Sequence, residues 1–211
     1  MRWFVRLVAM LGALGVISVM LWAAALPAQI NDADDVPTPP ADTVGTVRHY
    51  LRFGVLGGRG GGWTERTFQD PARLDLKPGD VLLCRGAGSV HGFWSHVTIY
   101  LGEGRVLAHD IGTGLWVAPL AGLGWYGRIR VLRPEGDGRA AAAAATALAG
   151  RPFNLITHAG DPWQQTCAKA TVDAWAAAGV RIADGRSFLC PDAIADGPSP
   201  VAAELGARRR P

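Results

Sequence analysis

The chain has 211 residues, 49% of them hydrophobic, with 21 basic and 18 acidic side chains and a formal charge of +3. That length can bury the core of one domain plus an appendage. Without the first 28 residues, which hold Arg2 and Arg6, 19 basic side chains face 18 acidic ones. A body so near neutral excludes the electrostatic footprint of a nucleic-acid binder.

Arg2 and Arg6 precede an uncharged apolar run, Leu7 to Ala25, followed by Leu-Pro-Ala-Gln at 26–29. The pattern suits signal peptidase cutting after Ala28, and the run is also nearly long enough to cross a bilayer. Either fate predicts export, by cleavage or by anchoring. If the segment is uncleaved, the positive-inside rule puts Met1 in the cytoplasm and the rest of the chain outside. The expected organisation is therefore signal peptide or membrane anchor at 1–28, linker at 29–45, domain at 46–200 and basic tail at 201–211.

Asn31 to Thr43 is rich in Asp and Pro and reads as a solvated linker. Val44 to Phe53 suits a short helix, and Gly57 to Gly62 is a loop. No Lys-Ser or Lys-Thr follows those glycines, so they do not make a phosphate cradle. Leu76 to Asp80 is a turn feeding a strand at Val81 to Cys84. Ser95 to Leu101 alternates as a second strand, and Gly102-Glu103-Gly104 returns it as Arg105 to Asp110. Leu115 to Val117 and Arg128 to Leu132 supply further strands. Ala140 to Leu148 is a helical alanine run closed by Gly150, and Thr166 to Ala178 is a helix stopped by Gly179. Strands followed by helix, loop and helix predict an α+β domain, an antiparallel sheet packed against helices.

The chemistry centres on Cys84, Cys167 and Cys190. In an exported chain an odd count suggests one pair and one free thiol. Cys84 and Cys190 are either core thiols or one disulfide. Cys167 opens a helix, where unpaired N–H groups and the positive dipole end favour a thiolate and can hold an acyl oxyanion. His96, on a core strand, is placed to supply the imidazole. Such a pair works through a thioester, with His96 protonating the leaving group and then activating water.

A third polar residue is needed to orient the imidazole. A two-residue turn at Glu103-Gly104 pairs Gly102 with Arg105 and Thr98 with His109. Directly paired residues share a face, so this register aims His109 at the site and Ala108 away from it. A bulged turn would reverse the choice, and Asp110 is the fallback. Trp94, Trp163 and Gln165 are expected to line the substrate groove. His91 is a loop histidine, while His49 and His158 read as surface or packing residues. A zinc set drawn from Cys84, His91, His96 and His109 has no compact spacing, so neither a metal nor an organic cofactor is expected.

Lys77-Pro78-Gly79-Asp80-Val81 with Ser95-His96-Val97-Thr98-Ile99-Tyr100-Leu101-Gly102 resembles the strand pair of the NlpC/P60 superfamily, whose catalytic histidine falls at His96. The cysteine, at Gln164-Gln165-Thr166-Cys167-Ala168, follows the histidine, which is the order of the circularly permuted branch. That branch includes the YiiX/YaeF-like papain amidases and the lecithin:retinol acyltransferase-like enzymes. Ala149 to Asn154 is similar to the YiiX-like Gly, Lys, Pro, Tyr, Asp pattern, and the likeness spans Leu76 to Ile182. It departs at the cysteine, where Thr166, Ala168 and Lys169 replace the usual Tyr-Cys-Ser-Glu surroundings, and at Ala108, where the family's spacing puts the third residue. The resemblance implies a permuted papain-like fold and an amide or ester acyl substrate, either a cell-wall peptide or a lipid. The rival reading is an exported binding module that kept the fold and lost the chemistry.

Overall fold

Val81-Leu82-Leu83-Cys84-Arg85 is buried along its whole length, which requires cover on both faces and a neighbour on each edge. It is strand β1 (Val81–Arg85) of a computed structural model that describes residues 38–52, 69–86, 89–110, 112–186 and 188–206. The apolar run at 7–25, most of the linker, the glycine loop and the arginine tail lie outside the described residues. The other strands are β2 (His96–Gly102), β3 (Arg105–Asp110), β4 (Gly114–Pro119), β5 (Arg128–Leu132) and β6 (Val201–Gly206). They form one sheet in the order β4-β3-β2-β1-β5-β6, with every neighbouring pair antiparallel. Helices are α1 (Thr43–Tyr50), α2 (Gly138–Ala147), α3 (Cys167–Ala177) and α4 (Pro191–Ala195). The molecule is therefore α+β.

Strand alternation divides the core in two. Val81, Leu83, Val97, Ile99, Leu107 and Leu115 pack beneath α2 and α3 with Ala141, Ala145, Ala168 and Trp175. Leu82, Cys84, Val106 and Ile129 face the opposite way, against Leu120 and Leu123 of the 3₁₀ turn Leu120–Trp125. Helix α2 buries Ala141, Ala142 and Ala145, a small-residue stripe that lets it lie close to its neighbours. The turn into β1 is close-packed too. A Cβ on Gly79, whose φ is +92°, would stand 2.4 Å from the Cα of Gly138, so only glycine fits there. The Gly79 carbonyl then accepts from Trp175 Nε1 at 3.1 Å and ties α3 to the start of the sheet.

Two segments differ from the sequence expectation. Val201–Gly206, read as the start of a tail, is the sixth strand, and its Glu204 pairs with Arg128 and with Arg130, the latter at 3.6 Å. The end of the linker is packed and not solvated: Pro39 is buried and Thr38 Oγ1 donates to Asp192 Oδ2 at 2.7 Å. Asp42 caps α1 by accepting from Gly45 N. Among the described residues no helix is long and apolar enough to cross a membrane.

Candidate active site

The β2–β3 hairpin is paired by its main chain near the turn, at Gly102↔Arg105 and Tyr100↔Val106, with a register shift between those pairs. This is the bulged turn, so the expected Thr98 to His109 pairing does not form. Beyond Tyr100 the strands part, and Thr98 bridges them by donating from Oγ1 to the Leu107 carbonyl. His96 alternates with Val97 and Ile99, and His109 alternates in step with Leu107, so the two histidines belong to opposite faces. They meet where the strands have parted. His109 Nε2 lies 2.7 Å from His96 Nδ1, and the rings are 4.5 Å apart at 62°. The juxtaposition comes from the opening of the ladder, not from a shared face.

Cys167 is the first residue of α3. Thr166 caps that helix, its side chain accepting from Lys169 N at 3.0 Å, because its extended backbone leaves the hydroxyl in reach of the first turn. Thr171 Oγ1 donates to the Cys167 carbonyl at 2.9 Å and stiffens the same turn. The Cys167 sulfur and one nitrogen of each of His96 and His109 all lie within 4.8 Å of one another. Cys167 is 6% exposed and His96 7%, so only half-buried His109 opens the cluster to solvent.

Each ring has an aromatic backing. His96 stacks on Tyr126 at 5.5 Å and 16°, and His109 on Phe153 at 4.1 Å and 11°. Phe153 also forms a parallel bridge with Gln165, through Gln165 N to the Pro152 carbonyl and Asn154 N to the Gln165 carbonyl. The stretch leading into Cys167 is thereby locked to the stretch that backs His109. Tyr126 is marked in the sequence by nothing except being aromatic, and Phe153 only by standing at the Tyr of the YiiX-like pattern.

Burial decides the charges. It pushes the Cys167 thiol up to about 11, against the backbone N–H groups of Val97 and Ala168, which pull the other way. Burial also holds His96 well below the ordinary imidazole value, with His109 and His91 adding to the effect. The resting pair is therefore thiol and neutral imidazole. Desolvation opposes the thiolate that the helix terminus favours, and the balance lies with thiol and neutral imidazole.

The segment before His96 is held from several sides. Asp192 accepts from Phe93 N at 2.9 Å and Trp94 N at 2.8 Å, and Ser95 Oγ donates to the Cys84 carbonyl at 3.1 Å. His91 Nδ1 is hydrogen-bonded to Tyr50 Oη at 2.6 Å, and His49 Nε2 lies 2.8 Å from the Val90 carbonyl. Both histidines anchor α1 and are placed for packing. His158 is exposed.

The three expected groove residues scatter. Trp94 is 2% exposed in the core, with the Arg130 guanidinium 4.9 Å above its ring, so it cannot wall an open groove. Trp163 is 77% exposed on a loop. Gln165 is fully buried; its Nε2 donates to Asp173 and its Oε1 has no partner among the described residues. Its contacts are those of a strut under the helix start and not of a substrate contact. Asp110 closes β3 with its side chain outside the described residues. Cys84 and Cys190 are separate free thiols, Cys84 in the core facing away from α3 and Cys190 at the start of α4, so no disulfide joins them. The zinc set weighed from the sequence does not assemble either, because Cys84 and His91 stay outside the cluster. No protein-family profile matches the chain, nor does any curated protein or solved structure.

Proposed function

We propose that this chain is an exported thiol hydrolase or acyltransferase that acts at amide or ester carbonyls, with a permuted NlpC/P60-like fold. The observation that carries the reading is the meeting of a helix-opening cysteine with two histidines whose rings are hydrogen-bonded to each other. In this reading Cys167 Sγ attacks the carbonyl carbon while its proton passes to His96, which is neutral and able to accept it. The Cys167 and Ala168 N–H groups at the helix start stabilise the oxyanion. The tetrahedral adduct collapses as His96 returns the proton to the leaving amine or alcohol, which leaves a thioester. Water, deprotonated by His96, then releases the acid; an acceptor alcohol or amine in its place gives transfer. His109 holds the position and tilt of His96. The acyl group is a cell-wall peptide or a lipid acyl chain, and the resemblance is what supports that choice. Export rests on Arg2, Arg6 and the run from Leu7 to Ala25.

The test is a pre-steady-state reaction with an activated p-nitrophenyl ester. A burst of nitrophenol should accompany a mass increase of one acyl group on Cys167, removable by hydroxylamine. A protein that gains no acyl group at Cys167 is instead the exported binding module.

A further inference from the structure

The same three side chains have a second chemistry. A thiolate and two imidazoles are the donors that zinc prefers, bound at about 2.3 Å to sulfur and about 2.0–2.1 Å to nitrogen in a tetrahedron. Cys167, His96 and His109 offer one such atom each, all within 4.8 Å of one another, on three different elements. Had the third residue been an asparagine, the site would hold only two good zinc donors; histidine completes a set of three. The ion takes the place of the hydrogen bond between the rings, so His96 Nδ1 and His109 Nε2, 2.7 Å apart, open slightly to their distances from the metal. The stacking of His96 on Tyr126 and His109 on Phe153 holds both rings while they do so. Entry is from the side of half-buried His109, and a fourth position remains for water.

We propose that His96, His109 and Cys167 form a zinc site, and that the bound ion holds the thiol idle. On binding, Cys167 loses its proton to solvent and forms the zinc–sulfur bond; the ring that donates in the His96–His109 hydrogen bond shifts its proton to its other nitrogen, both imidazoles then bind through lone pairs, and nothing is oxidised or reduced. The site itself stands on the geometry alone. Its role as an inhibitory site rests on the thiol-hydrolase reading.

The experiment uses the full chain, reduced and stripped with chelator, with Zn²⁺ titrated against a chromophoric competitor. One ion per chain is expected, with affinity lowered about tenfold or more in Cys167→Ser and in His109→Ala, and unchanged in the surface control His158→Ala. Co²⁺ loaded into the unaltered protein should show a thiolate-to-cobalt charge-transfer band, a readout that does not depend on any variant folding. Failure of one ion to bind, binding indifferent to Cys167→Ser, or cobalt without that band overturns the site. Zinc should also block acylation of Cys167 by the p-nitrophenyl ester. If acylation proceeds in zinc-saturated protein, inhibition is wrong and the hydrolase reading stands. If zinc binds these ligands and the zinc-free protein gains no acyl group, the site stands and the hydrolase reading falls.

Discussion

Two histidine contacts lie close along the chain, and they serve different ends. His91 sits in a loop, is 7% exposed and has its Nδ1 filled by Tyr50 Oη. His96, five residues on, is equally buried, but its Nδ1 meets another imidazole, and Cys167 lies beside the pair. Burial lowers the proton affinity of both rings, so burial alone does not distinguish a reacting histidine from a strut. The partners do. Burial keeps the Tyr50 hydroxyl protonated well above the usual range, so it is a hydrogen-bond partner that takes no proton from His91. His109 can give or take a proton, which leaves the His96 tautomer free to follow the reaction.

The sharpest break between the two comes from deletion. Cys167→Ser should abolish acyl capture, and His96→Ala should slow acylation by about 10²–10⁴-fold. His91→Ala should leave the rate per folded molecule nearly unchanged while lowering the denaturation midpoint, since Tyr50 Oη loses its hydrogen bond to that ring. Rapid-quench mass spectrometry alongside urea denaturation separates the two effects. An acylation loss in His91→Ala as large as in His96→Ala would erase the distinction.

Acid should separate stability from chemistry. Burial lowers His91 to about 4 from an ordinary 6.5, so between those values the unfolded chain binds a proton that the folded chain refuses. Stability is therefore full above pH 6.5 and falls as the pH drops toward 4, by about 3 kcal/mol from this ring alone. Denaturation midpoints through that window should show a decline that is shallower in His91→Gln. The acid limb of kcat/KM should lie below the ordinary imidazole value, because neutral His96 is the base and its proton affinity is lowered. A limb at or above 6.5 would restore the ion-pair picture.

Smaller effects test the support. His109→Ala should cost between about tenfold and a hundredfold in kcat through misorientation of His96, and His109→Asn should recover part of it. Phe153→Leu removes a stacked contact worth about 0.5–1.5 kcal/mol, so it should cost tenfold or less, and in kcat more than in KM. Equal loss in both parameters would assign Phe153 to substrate binding.

How much of this the sequence carries depends on the residue. Cys167 is legible because Thr166 is a good cap and Gly179 a good stop, and both mark helix ends locally. His96 is legible from its strand. The approach of His109 to His96 follows from a bulge and a parted ladder, which the residues of the turn do not encode in a readable way; the register argument reaches the same residue by a route the backbone does not take. Strand β6 is hidden because Val-Ala-Ala-Glu-Leu-Gly alternates weakly and runs into arginines. The charge balance between Cys167 and His96 is invisible from sequence, since a helix terminus is local while desolvation depends on everything packed around it.

The last strand also bears on the fate of the folded protein. β6 pairs with β5 from Arg128↔Gly206 to Leu132↔Val201, so it caps a row of main-chain donors and acceptors that would otherwise face solvent. An uncapped row of that kind recruits strands from other molecules. The cap is held by Glu204, whose carboxylate meets both Arg128 and Arg130 and is itself largely shielded from water. A proteolytic nick before Val201, or Glu204→Lys, would leave β5 as a template for self-association. The first consequence would be aggregation on storage, with every residue around Cys167 still in place.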